Sequence, residues 1–170
     1  MMRIGVISDT HGEATLVRRA MGVFKEMGVE RIIHCGDLCT PSQVKLFSEI
    51  PTDFVYGNCD AGVRMTIGMQ IEEFGGTHHG DFGSLELEGK KIAFLHGQRQ
   101  QVLDGVIDSG EWDLVCYGHT HKFHYGMVGN TVVLNPGALQ RRSEAPGVAC
   151  VDLPEMTVAR IPLEGGFSGF

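Results

Sequence analysis

One repeated feature limits how this 170-residue chain can fold: short apolar runs that stop abruptly at loops bearing Asp, His or Asn beside Gly. Ile4-Gly5-Val6-Ile7 stops at Ser8-Asp9-Thr10-His11-Gly12. Arg31-Ile32-Ile33-His34-Cys35 stops at Gly36-Asp37, and Asp53-Phe54-Val55-Tyr56 stops at Gly57-Asn58-Cys59-Asp60. Lys91-Ile92-Ala93-Phe94-Leu95 ends at His96-Gly97, and Asp113-Leu114-Val115-Cys116-Tyr117 ends at Gly118-His119-Thr120-His121. Runs this short and apolar suit buried strands. Between the first two, Leu16, Ala20, Val23, Phe24 and Met27 keep the spacing of an amphipathic helix, with Gly28 as its stop. Pro41 opens a second helix carrying Val44, Leu46 and Phe47. Gln98 to Ser109 reads as a third, with Val102, Val106 and Ile107 inward. Strand, loop and helix in repetition define an α/β fold with a partly parallel sheet and helices on its faces.

The remainder is less regular. Ala61 to Thr77 shows no decisive period. Ser84 to Glu88 alternates as a strand does, and Gly89-Lys90 is a turn. Beyond His121, Gly129-Asn130 and Asn135-Pro136-Gly137 break short strands into hairpins, followed by strands at Gly147 to Val151 and Thr157 to Ile161. The length suits a single domain over residues 1–170, with a glycine-rich tail from about 164 expected to fray. No apolar run is long enough for a membrane span, and the N-terminal run lacks a cleavage site, so a cytoplasmic protein is expected. The five cysteines are odd in number and widely spaced, which predicts reduced, mostly buried thiols. A net charge of −7 argues against nucleic-acid or anionic-membrane partners.

Ligands in open α/β sheets sit beyond the carboxyl ends of the strands, so the five loops are expected to converge. Their imidazoles and carboxylates suit Mn, Fe, Zn, Co or Ni, whereas oxygen-only sites suit Mg or Ca. Two divalent ions roughly 3.5–4 Å apart can clamp a phosphate and supply hydroxide. Two such ions against two aspartates leave the centre doubly positive, so it attracts phosphate even on an acidic protein.

The order Asp9-x-His11, Gly36-Asp37, Gly57-Asn58-x-Asp60, His96, Gly118-His119-x-His121 resembles the calcineurin-like metallophosphoesterase superfamily. Ile-Ser-Asp-Thr-His-Gly, His-Cys-Gly-Asp, Gly-Asn-Cys-Asp, Gly-His-Thr-His and Asn-Pro-Gly are most similar to its small phosphodiesterase branch, the YfcE-like and Vps29-like proteins. The resemblance spans about residues 2 to 140. It implies a four-layer αββα sandwich of two mixed β-sheets flanked by helices. It implies two transition-metal ions, manganese foremost. Asp9, His11 and His121 would hold one, Asn58, His96 and His119 the other, and Asp37 would bridge them. A bridging hydroxide would attack a small phosphodiester in line. Asp37, Asn58 and His96 are the candidate catalytic residues, with Asn58 also orienting the phosphate. Where the wider superfamily carries a histidine as proposed general acid, this chain has Cys59, a poor substitute.

Three other functions compete. A binding scaffold of the Vps29 kind can lose ligands without penalty, yet none of the seven is missing. Cys59 weighs against a phosphomonoesterase of the protein-phosphatase type. The acidic balance weighs against a nuclease. A homo-oligomer is compatible with the sequence. Asp60 and His34 read as supports for neighbouring ligands or as packed turn residues. His78-His79 is expected on a surface loop, and His124 reads as a hairpin residue or as one lining the pocket. Arg99, Arg141 and Arg142 read as solvated charges or as contacts to substrate phosphate. No insertion is long enough to form a lid, which predicts an open, shallow site with loose specificity.

Overall fold

The computed structural model describes residues 1–143 and 145–163, so the tail expected to fray lies outside the described residues. In chain order the strands are β1 (Met2–Ile7), β2 (Arg31–His34), β3 (Thr52–Phe54), β4 (Thr77–His78), β5 (Phe82–Leu87) and β6 (Lys90–Leu95). They continue as β7 (Leu114–Cys116), β8 (Phe123–Val128), β9 (Thr131–Pro136), β10 (Gly147–Leu153) and β11 (Thr157–Pro162). The α-helices are α1 (Ala14–Glu26), α2 (Arg64–Glu73) and α3 (Gln100–Asp108). One sheet has the order β11-β10-β1-β2-β3-β4 and the other β5-β6-β7-β9-β8. Both are mixed. β1 pairs parallel with β2 and antiparallel with β10, and β7 pairs parallel with β6 and β9.

Three buried clusters account for four layers. Ile4, Val6, Ile33, Val55, Phe94, Leu114 and Leu134 fill the space between the sheets. Ile7, Ile32 and Phe54 point to the opposite face of the first sheet, against Leu16, Ala20 and Phe24 of α1 and Ile67 and Ile71 of α2. Ala93, Leu95 and Val115 cover the outer face of the second sheet beneath Leu103 of α3. The alternation along β1 and β6 is the two-residue period of a strand, here apolar on both faces. Each such side chain contributes roughly 1.5–3 kcal/mol of transfer free energy. The architecture is the αββα sandwich expected.

Several local expectations are corrected. The helix opened by Pro41 is a 3₁₀ segment, Pro41–Phe47. The unassigned stretch forms α2 and β4. α3 turns Leu103 inward and leaves Val102 exposed, with Val106 and Ile107 only partly buried. His78 lies on the short edge strand β4, and His79 is half-buried, bonded to Asp53 at 2.8 Å and edge-on to Phe94. β9 continues through Asn135-Pro136 before turning at Gly137. No helix among the described residues is long and apolar enough to cross a membrane.

Candidate metal centre

The carboxyl ends of β1, β2, β3, β6 and β7 open onto one crevice, where their loops meet. Asp9 follows β1, Asp37 follows β2, Asn58 follows β3, His96 follows β6, and His119 and His121 follow β7. The backbone ties the loops together. Asp9 N–H donates to Gly36 O, His11 N–H to Asp37 O, and Gly118 N–H to His96 O. The loops are also strained: Asp9, His11, Asp37, Cys39, His119 and His121 all have φ between 40° and 67°. Asp and His tolerate the left-handed region better than most residues, yet each such conformation costs roughly 1–2 kcal/mol. Strain of this kind clusters where function requires a particular geometry.

Two glycines permit the close approach. A Cβ on Gly57 would lie 2.0 Å from Asp37 Oδ1, and one on Gly118 would lie 2.0 Å from Ser8 Oγ and 2.5 Å from Asp9 Oδ2.

Within the crevice the donor atoms converge. Asp9 Oδ1 is fully buried and makes no hydrogen bond. The Nε2 atoms of His121, His11 and His96 lie 3.1, 3.6 and 3.9 Å from it. The 3.1 Å approach of His121 lacks the alignment of a hydrogen bond, so Oδ1 is an orphan despite its neighbours. Asp37 Oδ2 stands 3.3 Å from His96 Nε2 and 3.6 Å from His11 Nε2. Both carboxylates therefore face histidines contributed by both sheets. Asn58 Oδ1 lies 3.1 Å from His96 Nε2. His119 donates its backbone N–H to Asp9 Oδ2 and sets its ring edge-on to His96 at 5.2 Å. All seven expected ligands thus line one crevice.

The donor set passes two tests of fit to cations. First, an unbonded buried carboxylate oxygen costs several kcal/mol unless something positive faces it. Donor separations of 3.1–3.6 Å are what ligands about 2.0–2.2 Å from a shared ion would show. Second, the tautomer of His96 is suited to the role. Its Nδ1 donates to Cys35 O at 2.8 Å, which leaves Nε2 with a bare lone pair facing the crevice. Electrostatics agree. Burial alone would raise the Asp37 carboxyl, but His96 and Cys59 together outweigh it and hold the group at about 2. Asp9 is also lowered against its burial, by His11, His96 and Ser8.

Residues outside the ligand set support it. Asp60 accepts backbone N–H groups from Asp37 at 2.9 Å, Cys39 at 2.7 Å and Gly57 at 2.8 Å, joining two ligand loops. Fully buried His34 accepts from Gly36 N–H through Nδ1 and meets Thr10 Oγ1 through Nε2. Asn135 donates to Gly118 O at 2.8 Å and to Thr120 Oγ1 at 3.0 Å, pinning the His119–His121 loop. Gln140 and Cys39 were not foreseen as neighbours of the centre. Gln140 lies 2.7 Å from His121 Nδ1, and Cys39 Sγ lies 3.4 Å from His11 Nδ1. Nothing in sequence spacing marks either. The free thiols divide into buried Cys35, Cys116 and Cys150, half-buried Cys39 and exposed Cys59.

An αββα sandwich whose crevice gathers histidines and aspartates from both sheets defines a class of metal-dependent hydrolases. A family model described as the calcineurin-like phosphoesterase superfamily domain matches residues 2–156, and the chain belongs to that superfamily. It is a phosphoesterase. Phosphodiesterase MJ0936 of Methanocaldococcus jannaschii is 36% identical over 139 residues, covering 80% of this chain and 83% of that protein. The solved structure of an archaeal phosphodiesterase superposes with a TM-score of 0.89 at 32% identity, covering 95% of this chain and 100% of that chain. Zinc-bound Vps29 of Entamoeba histolytica, at 15% identity and a TM-score of 0.68 over 95% of this chain and 99% of its own, shares the fold. The superfamily implies divalent metal ions, consistent with the donor groups Asp9-His11-His121 and Asp9-Asp37-His96.

Proposed function

We propose that this chain hydrolyses phosphodiesters with two divalent transition-metal ions, manganese foremost. The observation that carries the reading is Asp9 Oδ1: fully buried, unbonded, and ringed by three histidine Nε2 atoms. Asp9, His11 and His121 would hold one ion, Asn58, His96 and His119 the other, with Asp37 shared between them. Bound there, the ions would neutralise phosphoryl charge and make hydroxide available at neutral pH.

The protein's own groups do the rest. Ser8 Oγ and His119 N–H fix Asp9 Oδ2, so that Oδ1 alone faces the crevice. Cys59 N–H donates to Asp37 Oδ1 and leaves Oδ2 facing His96 and His11. Asn58, exposed at the crevice mouth, would orient a phosphoryl oxygen through its amide. Hydrolysis adds hydroxide to phosphorus and releases one ester oxygen, which leaves with a proton as an alcohol. The superfamily likeness of MJ0936, named a phosphodiesterase, supports a diester substrate.

The test is hydrolysis of bis(p-nitrophenyl) phosphate and of p-nitrophenyl phosphate by metal-stripped protein, with and without Mn²⁺ or Ni²⁺. Metal-dependent cleavage that favours the diester is expected. Asp37→Ala and Asn58→Ala should reduce it by more than the roughly 10–100-fold typical of losing a group behind a ligand. Folded protein inactive with every metal would overturn the proposal.

A further inference from the structure

The metal crevice does not end at His121. A cleft of about 460 Å³ opens from that residue, and Lys122, Phe123, Gln140, Arg142 and Arg160 line it. This volume is within the range of small-molecule sites. Its charge stands apart from the rest of the chain. The whole protein carries −7, yet three cations meet here and none of the described residues lining the cleft is a carboxylate. Arg160 is fixed in place. Its guanidinium lies 4.9 Å above the Phe123 ring and donates to Ala145 O at 3.3 Å, leaving further N–H donors. No ion pair with a described carboxylate neutralises Lys122, Arg142 or Arg160. Gathering like charges costs free energy, which an anion in the cleft would recover. Gln140 belongs to both regions: it lines the cleft and contacts His121 Nδ1.

We propose that this cleft is a second phosphate subsite, and that the preferred substrate is a phosphodiester with a phosphate monoester on one arm. The inference rests on the phosphodiesterase reading and narrows it. The scissile phosphate would sit on the metal centre while the distal phosphate meets Lys122, Arg142 and Arg160. Two guanidiniums favour the planar, forked recognition of phosphate oxygens, and three cations match a dianion better than a carboxylate. Open as it is, the site then discriminates among diesters by the charge of their arms.

Two matched substrates test the proposal: thymidine 5′-(p-nitrophenyl phosphate) with and without a 3′-phosphate, alongside bis(p-nitrophenyl) phosphate, all with Mn²⁺. The 3′-phosphate should raise kcat/KM about tenfold or more, mainly through KM, as one strong charged contact can. In Arg142→Gln/Arg160→Gln that advantage should fall toward unity. A binding measurement avoids activity altogether. By calorimetry, metal-stripped protein should bind thymidine 3′,5′-bisphosphate tighter than thymidine 5′-phosphate, and the double variant should abolish the difference. Equal kcat/KM for the matched pair, with bis(p-nitrophenyl) phosphate cleaved, would overturn the subsite and leave the phosphodiesterase reading standing. No cleavage of any diester, with the calorimetric preference intact, would overturn the catalytic reading and keep the subsite as a binding site. Equal binding and no cleavage would overturn both.

Discussion

Single residues carry both the chemistry and its limits. Asp9 Oδ1 is an acceptor without a donor, and the left-handed φ of Asp9, His11, Asp37, His119 and His121 shows what the fold tolerates around the crevice. Cys59 marks a limit. Burial first, and then Asp37, push its thiol above the ordinary cysteine value, which makes it a weaker proton donor. The leaving oxygen is therefore expected to depart without an acid from this position. Rates should fall steeply as leaving-group pKa rises across a series of aryl and alkyl diesters. Cys59→His should flatten that slope and speed the poorest leaving groups by on the order of 10²-fold, the low end for a positioned general acid. An unchanged slope in the variant would show that the proton comes from elsewhere. At this scale the sequence was unusually readable. Five of the seven candidate ligands sit beside a glycine at the end of an apolar run, a local pattern. Gln140 and Cys39 had no such mark, because each meets its histidine only through the fold.

Elements hold these residues by a few buried polar contacts. Asp60, in the 3₁₀ turn Asn58–Asp60, binds three backbone N–H groups from two loops. Asp60→Ala should cost on the order of 3 kcal/mol and weaken metal binding about 10–100-fold, read by urea unfolding and metal titration. Asp60→Asn, which keeps an acceptor, should be milder. His34 closes β2 and stacks on Phe54. Burial pushes its imidazole down to about 4, so it is neutral in the fold, with Nδ1 accepting from Gly36. Its folded value lies below the unfolded 6.5, so the unfolded chain takes up the proton first as pH falls. The stabilisation is complete above about pH 6.5 and is lost as pH falls toward 4, about 3 kcal/mol in all. Urea midpoints of metal-free protein across that window should show the loss, and His34→Asn should lack it. α2 escaped the sequence reading for a physical reason. Its buried Ile67 and Ile71 are matched by Met65 and Met69 on the outside, 83% and 65% exposed, which blurs the helical period. Val102 misled in the same way, since an exposed valine next to buried Leu103 shifts the apparent inner face of α3 by one residue.

On the scale of the whole molecule, the apolar layer between the sheets decides how the parts cohere. Phe94, Leu114 and Leu134 of one sheet meet Ile4, Val6 and Ile33 of the other in one continuous cluster. We propose that the chain is a single domain and unfolds as one unit. Trp112, the one tryptophan, packs against the cluster beneath α3, and far-UV circular dichroism reports the helices and strands throughout. Urea transitions followed by the two probes should coincide, and a metal present at about 100 times its Kd should shift both by about 2.7 kcal/mol. Separate transitions would divide the molecule at the inter-sheet layer. The layering was only partly legible in advance. Strand identity follows from local period, whereas the partition into two sheets depends on pairings such as β1 with β10, between residues 2–6 and 149–153. The crevice has a further consequence in time. Asp9 and His11 leave the ribosome more than a hundred residues before His119 and His121, and no chain shorter than 121 residues carries all seven candidate donors. Until that length is reached, a nascent chain offers a passing metal only part of the candidate donor set.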